Sequence, residues 1–298
     1  VKKVFSQITI TSPVIGQSIT IGSSLSIQAS SPQYMSFSVA ALYKGSTLID
    51  CYTINHMTYS NGIYYYDYNP INTSGLALGS DYRVKIYDIY NSANFAWSEY
   101  FLIDAPPAPV ATTADPVEST WFQANWNASS GNSSYRLDVA TNSSFTNFVE
   151  PYQDYHVTTS TSFYVDSDDI FPGTIYYYRL RRSISNEISV NSNVITVLTK
   201  PAAPVANPGM NLTDNSFTAS WSGVQSATGY YLDVSANSTF SNFVSGYNSL
   251  LVTGTSKEVT GLPSNTTYYY RVRAVNATGN SNNSNTIKTV YLKHWISY

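Results

Sequence analysis

One cysteine, Cys51, stands in 298 residues. No intrachain disulfide can form, so packing must stabilise whatever fold the chain adopts. Histidine is nearly as scarce: His56, His156 and His294 are the whole supply. Hydrolytic and nucleophilic sites commonly need a base beside a nucleophile, and no GxSxG, HExxH, CxxC, P-loop or dinucleotide fingerprint supplies another route. The reading is therefore no enzyme, no cofactor and no metal centre. Charged residues make up 11%, against about 25% in a typical soluble protein. With a net charge of −3, nucleic acid is excluded as a partner. No run approaches the roughly 18 apolar residues of a membrane span. The start, VKKVFSQITIT, lacks the long apolar middle of a signal peptide. For a secreted protein the expectation is a leader already removed.

Ser, Thr, Asn and 27 Tyr fill the space that charge leaves. Such a surface is hydrated by hydroxyls and amides, which suits an extracellular or cell-surface location. The length suits two or three domains, each with its own core. RLDVATNSSFTNFVEPY from Arg136 returns as YLDVSANSTFSNFVSGY from Tyr231, 95 residues later. PPAPVA at Pro106 and PAAPVA at Pro201 keep that offset, as do Trp126 and Trp221. YYYR and SNVIT return as YYYR and SNTIK at an offset of 92, after a three-residue deletion. A fixed period marks duplicated units, giving expected domains 1–104, 105–199 and 200–298.

Within each copy the hydrophobic period is two, which reads as half-buried strands. Alternation assigns Phe122, Trp126, Leu137, Tyr176 and Tyr178 to the core of the second unit. Phe217, Trp221, Leu232, Tyr268 and Tyr270 hold the matching places in the third. No segment carries a sustained helical period, and short strands spaced by Gly, Pro, Asn and Ser turns predict an all-β class of sandwiches. The Pro-rich opening, the tryptophans Trp126 and Trp221, the turns IFPGT and LPSNT, and Tyr176 and Tyr268 opening a late strand together resemble fibronectin type III modules, of the sort strung along bacterial secreted and surface proteins. The resemblance implies that the Tyr176 and Tyr268 hydroxyls return to nearby backbone. Residues 1–104, with Pro13 and Gly79-Ser80-Asp81-Tyr82-Arg83, resemble the Ig-like domain of fungal cell-wall assembly proteins and their bacterial relatives. Proline fixes φ, so the connectors APPAP and KPAAP read as stiff joints. Three tandem Ig-like and fibronectin type III sandwiches would then form an extended rod on the order of 100 Å long at about 3.3 Å per strand residue.

Cys51, in STLIDCYTI, reads as a small core residue. Arg179-Leu180-Arg181-Arg182 reads as the solvated side of a strand, and Asp166-Ser167-Asp168-Asp169 as a hydrated loop that caps the following turn. By alternation Trp121, Tyr177, Tyr231 and Tyr269 point away from their cores, and with Trp295 they form a candidate contact surface. Tyr64-Tyr65-Tyr66 must also be exposed in part. Glycan binding, lateral packing and plain strand propensity all account for such rings. Asn72, Asn127, Asn132, Asn142, Asn211, Asn237, Asn265, Asn276 and Asn282 begin N-x-S/T triplets and are candidate N-glycosylation sites. With 26 Asn in this composition, chance accounts for most of the triplets, so the repeated Asn142 and Asn237 reflect module duplication. VKKVFSQ precedes the first expected strand and LKHWISY follows the last, and both are apolar enough to add to a neighbouring sheet edge. The functional expectation is a non-catalytic structural protein of the cell surface. It would self-assemble into a filament, sheath or layer through its N-terminal segment or its sandwich edges. The alternatives are a spacer or carbohydrate-binding region of a secreted hydrolase, or an adhesin, with glycans as the second class of partner.

Overall fold

The computed structural model describes residues 8–35, 37–129, 134–184, 186–264 and 266–289, with Asn91 and Ser92 described in backbone only. Asn132, Asn265, His294, Trp295 and the segments 1–7 and 290–298 lie outside the described residues. Among the described residues every regular element is a β-strand.

The first unit comprises β1 (Thr9–Ser12), β2 (Ser18–Thr20), β3 (Ser24–Ser31), β4 (Ser38–Lys44), β5 (Thr47–Ser60), β6 (Ile63–Asn72), β7 (Gly79–Asp88), β8 (Asn91–Trp97) and β9 (Phe101–Asp104). They pair in the order β1-β3-β6-β5-β4-β7-β9-β2, with β8 beside β7. β5 joins the two layers. Its first half pairs with β4 as far as Thr53, and its second half pairs with β6 from Ile54 onward. Ile49 and Asn55 are skipped in these registers; such bulges bend and twist a strand, which lets one strand pass from layer to layer. Ile27, Leu42, Tyr66, Val84, Ile86 and Phe101 lie in the core between the layers.

The second unit carries β10 (Ala111–Thr112), β11 (Trp121–Trp126), β12 (Ser134–Ala140), β13 (Tyr155–Val157), β14 (Ser162–Asp166), β15 (Ile175–Ile184), β16 (Glu187–Ile188) and β17 (Ile195–Leu198). One sheet is β10-β11-β14; the other is β13-β12-β15-β16, with β17 also on β15. The third unit repeats this plan with β18 (Phe217–Ser220), β19 (Gly229–Ser235), β20 (Leu250–Val252), β21 (Ser256–Val259), β22 (Tyr268–Val275) and β23 (Ile287–Thr289), paired β18-β21 and β20-β19-β22-β23. Period two sets the buried faces. Phe122, Ala124 and Trp126 of β11 are buried, as are Tyr176, Tyr178 and Leu180 of β15. Phe217, Trp221, Leu232, Tyr268 and Tyr270 are buried at the matching places, and so is Leu137.

Hydroxyls tie the layers together across these cores. Tyr178 donates to the Thr112 carbonyl and accepts from the Asn125 amide at 3.2 Å. Tyr270 donates to the Asn207 carbonyl and accepts from the Ser220 amide at 3.3 Å. The Tyr176 hydroxyl donates to the Asp169 carbonyl at 2.8 Å, and that of Tyr268 to the Pro263 carbonyl at 3.3 Å. In the first unit the Tyr82 hydroxyl reaches the Ala77 carbonyl at 2.6 Å. Burial pushes the phenols of Tyr68 and Tyr178 up to about 12, from an ordinary value near 10. A raised phenol pKa means that the fold favours the neutral form. The resulting stability is full below pH 10 and is lost as pH rises through about 12. Absorbance of tyrosinate at 295 nm should therefore rise in two stages, the exposed rings first and the buried ones together with loss of circular dichroism. A single early stage with the fold intact would refute this assignment.

Candidate contact surfaces

The repeated phrase of the second and third units forms a loop held by its own polar side chains. Asp138 on β12 is 2% exposed and Asp233 on β19 is 1% exposed. Asp138 receives Arg179 Nε at 2.9 Å, Arg181 Nη2 at 3.3 Å and the Asp154 amide at 2.8 Å. Asp233 receives Arg271 Nε at 3.1 Å, Arg273 Nη2 at 3.4 Å and the Ser249 amide at 2.8 Å. Arg179 lies over the Phe145 ring at 4.0 Å and Arg271 over Phe240 at 4.1 Å. Both phenylalanines take left-handed backbone angles, φ 54° and 55°, which bulky residues adopt only when their surroundings enforce it. The enforcing group is the preceding asparagine. Asn142 Oδ1 accepts from the Thr146 amide at 3.0 Å, and Asn237 Oδ1 from the Ser241 amide at 3.1 Å. Their Nδ2 atoms donate to the Thr146 and Ser241 hydroxyls at 2.7 and 3.0 Å. The nitrogen that would carry a sugar is thus engaged inside the loop.

The second repeated phrase, Ser-Asn before the last strand, has an equally physical cause. Asn193 accepts from the Ala111 amide and donates to the Ala111 carbonyl, both at 2.9 Å. Asn285 does the same for Ala206 at 2.8 and 2.9 Å. One side-chain amide imitates a backbone partner for Ala111 in the second unit and for Ala206 in the third.

Several sequence expectations are corrected. Cys51 is exposed, because the core lies on the other face of β5, where Tyr52 and Ile54 pack against it. Arg179 and Arg181 are ion-paired with Asp138, and Arg182 is buried; its guanidinium pKa is lowered by that burial. Asn276 is only 6% exposed, and its Nδ2 donates to the Thr199 carbonyl of the second unit at 2.9 Å and to Ser226 Oγ at 3.3 Å. A folded Asn276 cannot accept a glycan. Asn72, Asn127, Asn211 and Asn282 are exposed, and Asn211 Nδ2 meets Thr218 Oγ1 at 3.2 Å.

The junctions between units are made by side chains as well as by proline. Ile184, at the end of β15, packs into the first unit's cluster. Between the second and third units, Thr278 Oγ1 donates to the Leu198 carbonyl at 2.5 Å beside the Asn276 contact. A Cβ on Gly173 would fall 2.7 Å from the Gln225 carbonyl oxygen, so the units touch there through backbone.

The candidate aromatic surface is divided. Trp121, Tyr177, Tyr231 and Tyr269 are half-buried. Trp121 meets Tyr164 edge-on at 5.5 Å, and Tyr231 lies under Arg273 at 5.9 Å. Of the Tyr64–Tyr66 run, Tyr65 is exposed, Tyr64 half-buried and Tyr66 buried. The first unit shows further rings that alternation did not single out, namely Tyr34, Phe37, Tyr59 and Tyr90, the last 75% exposed. Tyr64 gathers Tyr34 at 5.4 Å and Tyr59 at 4.5 Å, and Phe37 meets Tyr90 at 5.1 Å. His56 and His156 stand on β5 and β13, in separate units, and among the described residues no cluster of three His, Cys, Asp or Glu could hold a metal. No described helix is long and apolar enough to cross a membrane.

The family model of the fibronectin type III domain matches residues 203–290. The third unit is a fibronectin type III domain. No curated protein sequence matches the chain. Among solved structures, a two-domain fibronectin type III segment of chicken tenascin is 18% identical over 63% of this chain and 100% of that one, with a TM-score of 0.36. The chicken CNTN1 FN1-FN3 domains are 15% identical over 96% of this chain and 98% of that one, with a TM-score of 0.35. The second unit shares the strand registers and loop contacts of the fibronectin type III domain that follows it.

Proposed function

We propose that this chain is a non-catalytic extracellular protein of the cell surface, a subunit that assembles with its own copies into a filament, sheath or layer. The observation that carries the reading is β5. Along its 14 residues each paired position has a partner on one flank only. Leu48, Ile49, Met57 and Tyr59 are exposed on it. An exposed apolar edge strand is a template for another strand, and strand addition is a general mode of association. VKKVFSQ, which leads into β1, supplies a strand-length segment carrying Val1, Val4 and Phe5. Contacts at both junctions support a stiff, extended row of sandwiches, in which assembly through edges would set a fixed repeat.

Deleting residues 1–7 tests the reading. Polymers of the full chain should be visible by electron microscopy, and the shortened chain should stay monomeric in size-exclusion chromatography. Polymers that survive the deletion would exclude the N-terminal segment as donor, and a monodisperse monomer of the full chain would exclude self-assembly altogether. A spacer in a secreted hydrolase is the second reading; a catalytic domain in the extended reading frame would favour it.

A further inference from the structure

The two copied units differ around β13 and β14, where the third unit carries other side chains at several exposed positions. A groove of about 580 Å³ opens there in the second unit. His156, Thr158, Ser160, Ser162, Tyr164 and Asp166 line it. Tyr164 is 55% exposed and is flanked by Trp121 across the register from β14 to β11. Below the groove, Tyr152, Tyr155 and Phe163 pack against one another at 5.1 to 6.1 Å. Tyr152 also fixes the rim, since its hydroxyl donates to the Asp166 carbonyl at 2.9 Å and accepts from the Asp166 amide at 3.1 Å.

Registers in the third unit give the equivalent positions without ambiguity. Phe122 pairs with Val165 and Phe217 with Val259, so Tyr164 corresponds to Glu258 and Phe163 to Lys257. The 95-residue offset places Ser216 opposite Trp121, Leu250 opposite Tyr155 and Leu251 opposite His156. A sandwich of the same plan thus forms without these aromatic rings and without the imidazole. Tyr155 and Phe163 pack against the second unit's core, whereas Tyr164 and His156 are exposed, and it is these two whose presence calls for a cause other than folding.

We propose that this groove binds a neutral saccharide, with one pyranose ring lying on Tyr164, whose ring Trp121 supports edge-on. A pyranose offers a face of C–H groups and a rim of hydroxyls. Aromatic faces gain dispersion from the first, while a few placed polar groups fix the second. The lining supplies the hydroxyls of Thr158, Ser160 and Ser162, the His156 imidazole and the Asp166 carboxylate. It contains no Lys or Arg, so acidic or sulfated sugars lack a counter-charge and are disfavoured by Asp166. Saccharide binding here is independent of self-assembly and holds for a monomer as well as for a polymer.

The test is affinity gel electrophoresis of the full chain in gels containing mannan, xylan, dextran or a mixed-linkage β-glucan, followed by calorimetry with oligosaccharides of whichever retards it. The variant Trp121→Ser with Tyr164→Glu imports the residues of the third unit, and its thermal transition should match the parent. His156→Leu, also a residue of the third unit, is the second variant should the first fail to fold. Retardation of the parent by at least one neutral polysaccharide, with affinity at least tenfold weaker in the variants, is the expected result. No retardation by any of them, equal retardation of folded variants, or displacement of the sugar by a proline-rich peptide would each overturn the proposal.

Discussion

Replacing Phe122 with alanine should cost the second unit about 3–5 kcal/mol, the range for removing a buried aromatic side chain. Phe122 is fully buried on β11, with Tyr176 at 6.2 Å on one side and Tyr178 at 6.1 Å on the other. These two rings carry the hydroxyls that tie β15 to Asp169 and Thr112. A cavity between them loosens both anchors, and Ala124 is too small to fill the space. Against a domain stability of about 5–15 kcal/mol, the loss is a large share of what holds the unit together. Urea unfolding is the measurement. Because three units need not unfold as one, the first transition should move to lower urea while the others stay. Phe217→Ala should move the transition of the third unit instead. A change under about 1 kcal/mol in either variant would contradict the packing described.

Asp138→Ala should cost up to about 3–5 kcal/mol, because it leaves Arg179 unpaired at a largely buried site, while Arg181 keeps Asp154 Oδ1 at 2.9 Å. Arg179 and Arg181 keep only about a quarter of their side-chain surface in water (23% and 26%), and the Asp154 amide loses its acceptor. Arg179 also lies on the Phe145 ring, so releasing it frees the 141–154 loop that Phe145 closes. Asp138→Asn separates the contributions. It keeps an oxygen for the Asp154 amide but leaves Arg179 as unpaired as alanine does, so its loss should approach that of Asp138→Ala, and a clearly smaller loss would show that the loop anchor dominates. Equal losses for the two substitutions would show that the charge, rather than the loop anchor, dominates. Asp233→Ala should reproduce the effect in the third unit.

Asp138 also shows where the sequence is easy to read and where it is not. Period two sorted Leu137 and Val139 to the core, and the structure buries both. The same period turns Asp138 outward, where a carboxylate is expected to meet water. It is buried because two arginines from the neighbouring strand and a phenylalanine from the following loop cover it. Such a cover joins residues about forty positions apart, beyond the reach of any local pattern. Asn142 and Asn237 were visible only as N-x-S/T triplets, although their use is to hold a loop. The signal that could have found it was the pairing of Asn with Thr146 or Ser241 four residues on, retained in both copies. Cys51 failed for another reason. STLIDCYTI alternates as a half-buried strand would, and the inward face at this point is that of Tyr52 and Ile54 rather than that of Cys51. The pattern of the first unit specifies strands without specifying which of them changes layer. Trp121 illustrates the opposite case: its outward direction followed from alternation alone, while its meeting with Tyr164 required the pairing of β11 with β14.

The two junctions invite one more comparison. Shifting by 92 residues carries Ile184 onto Asn276, so one site of the ancestral unit became the fastening to its predecessor twice over. In the middle unit that site is greasy and seeks oil in the first unit; in the last it is an amide and seeks a carbonyl on Thr199. One site thus serves both junctions with different chemistry, beside the Thr278 and Gly173 contacts of the second junction. Ile184→Asn would set an amide against the apolar seat that the isoleucine now fills, so the two copies are not interchangeable at this position.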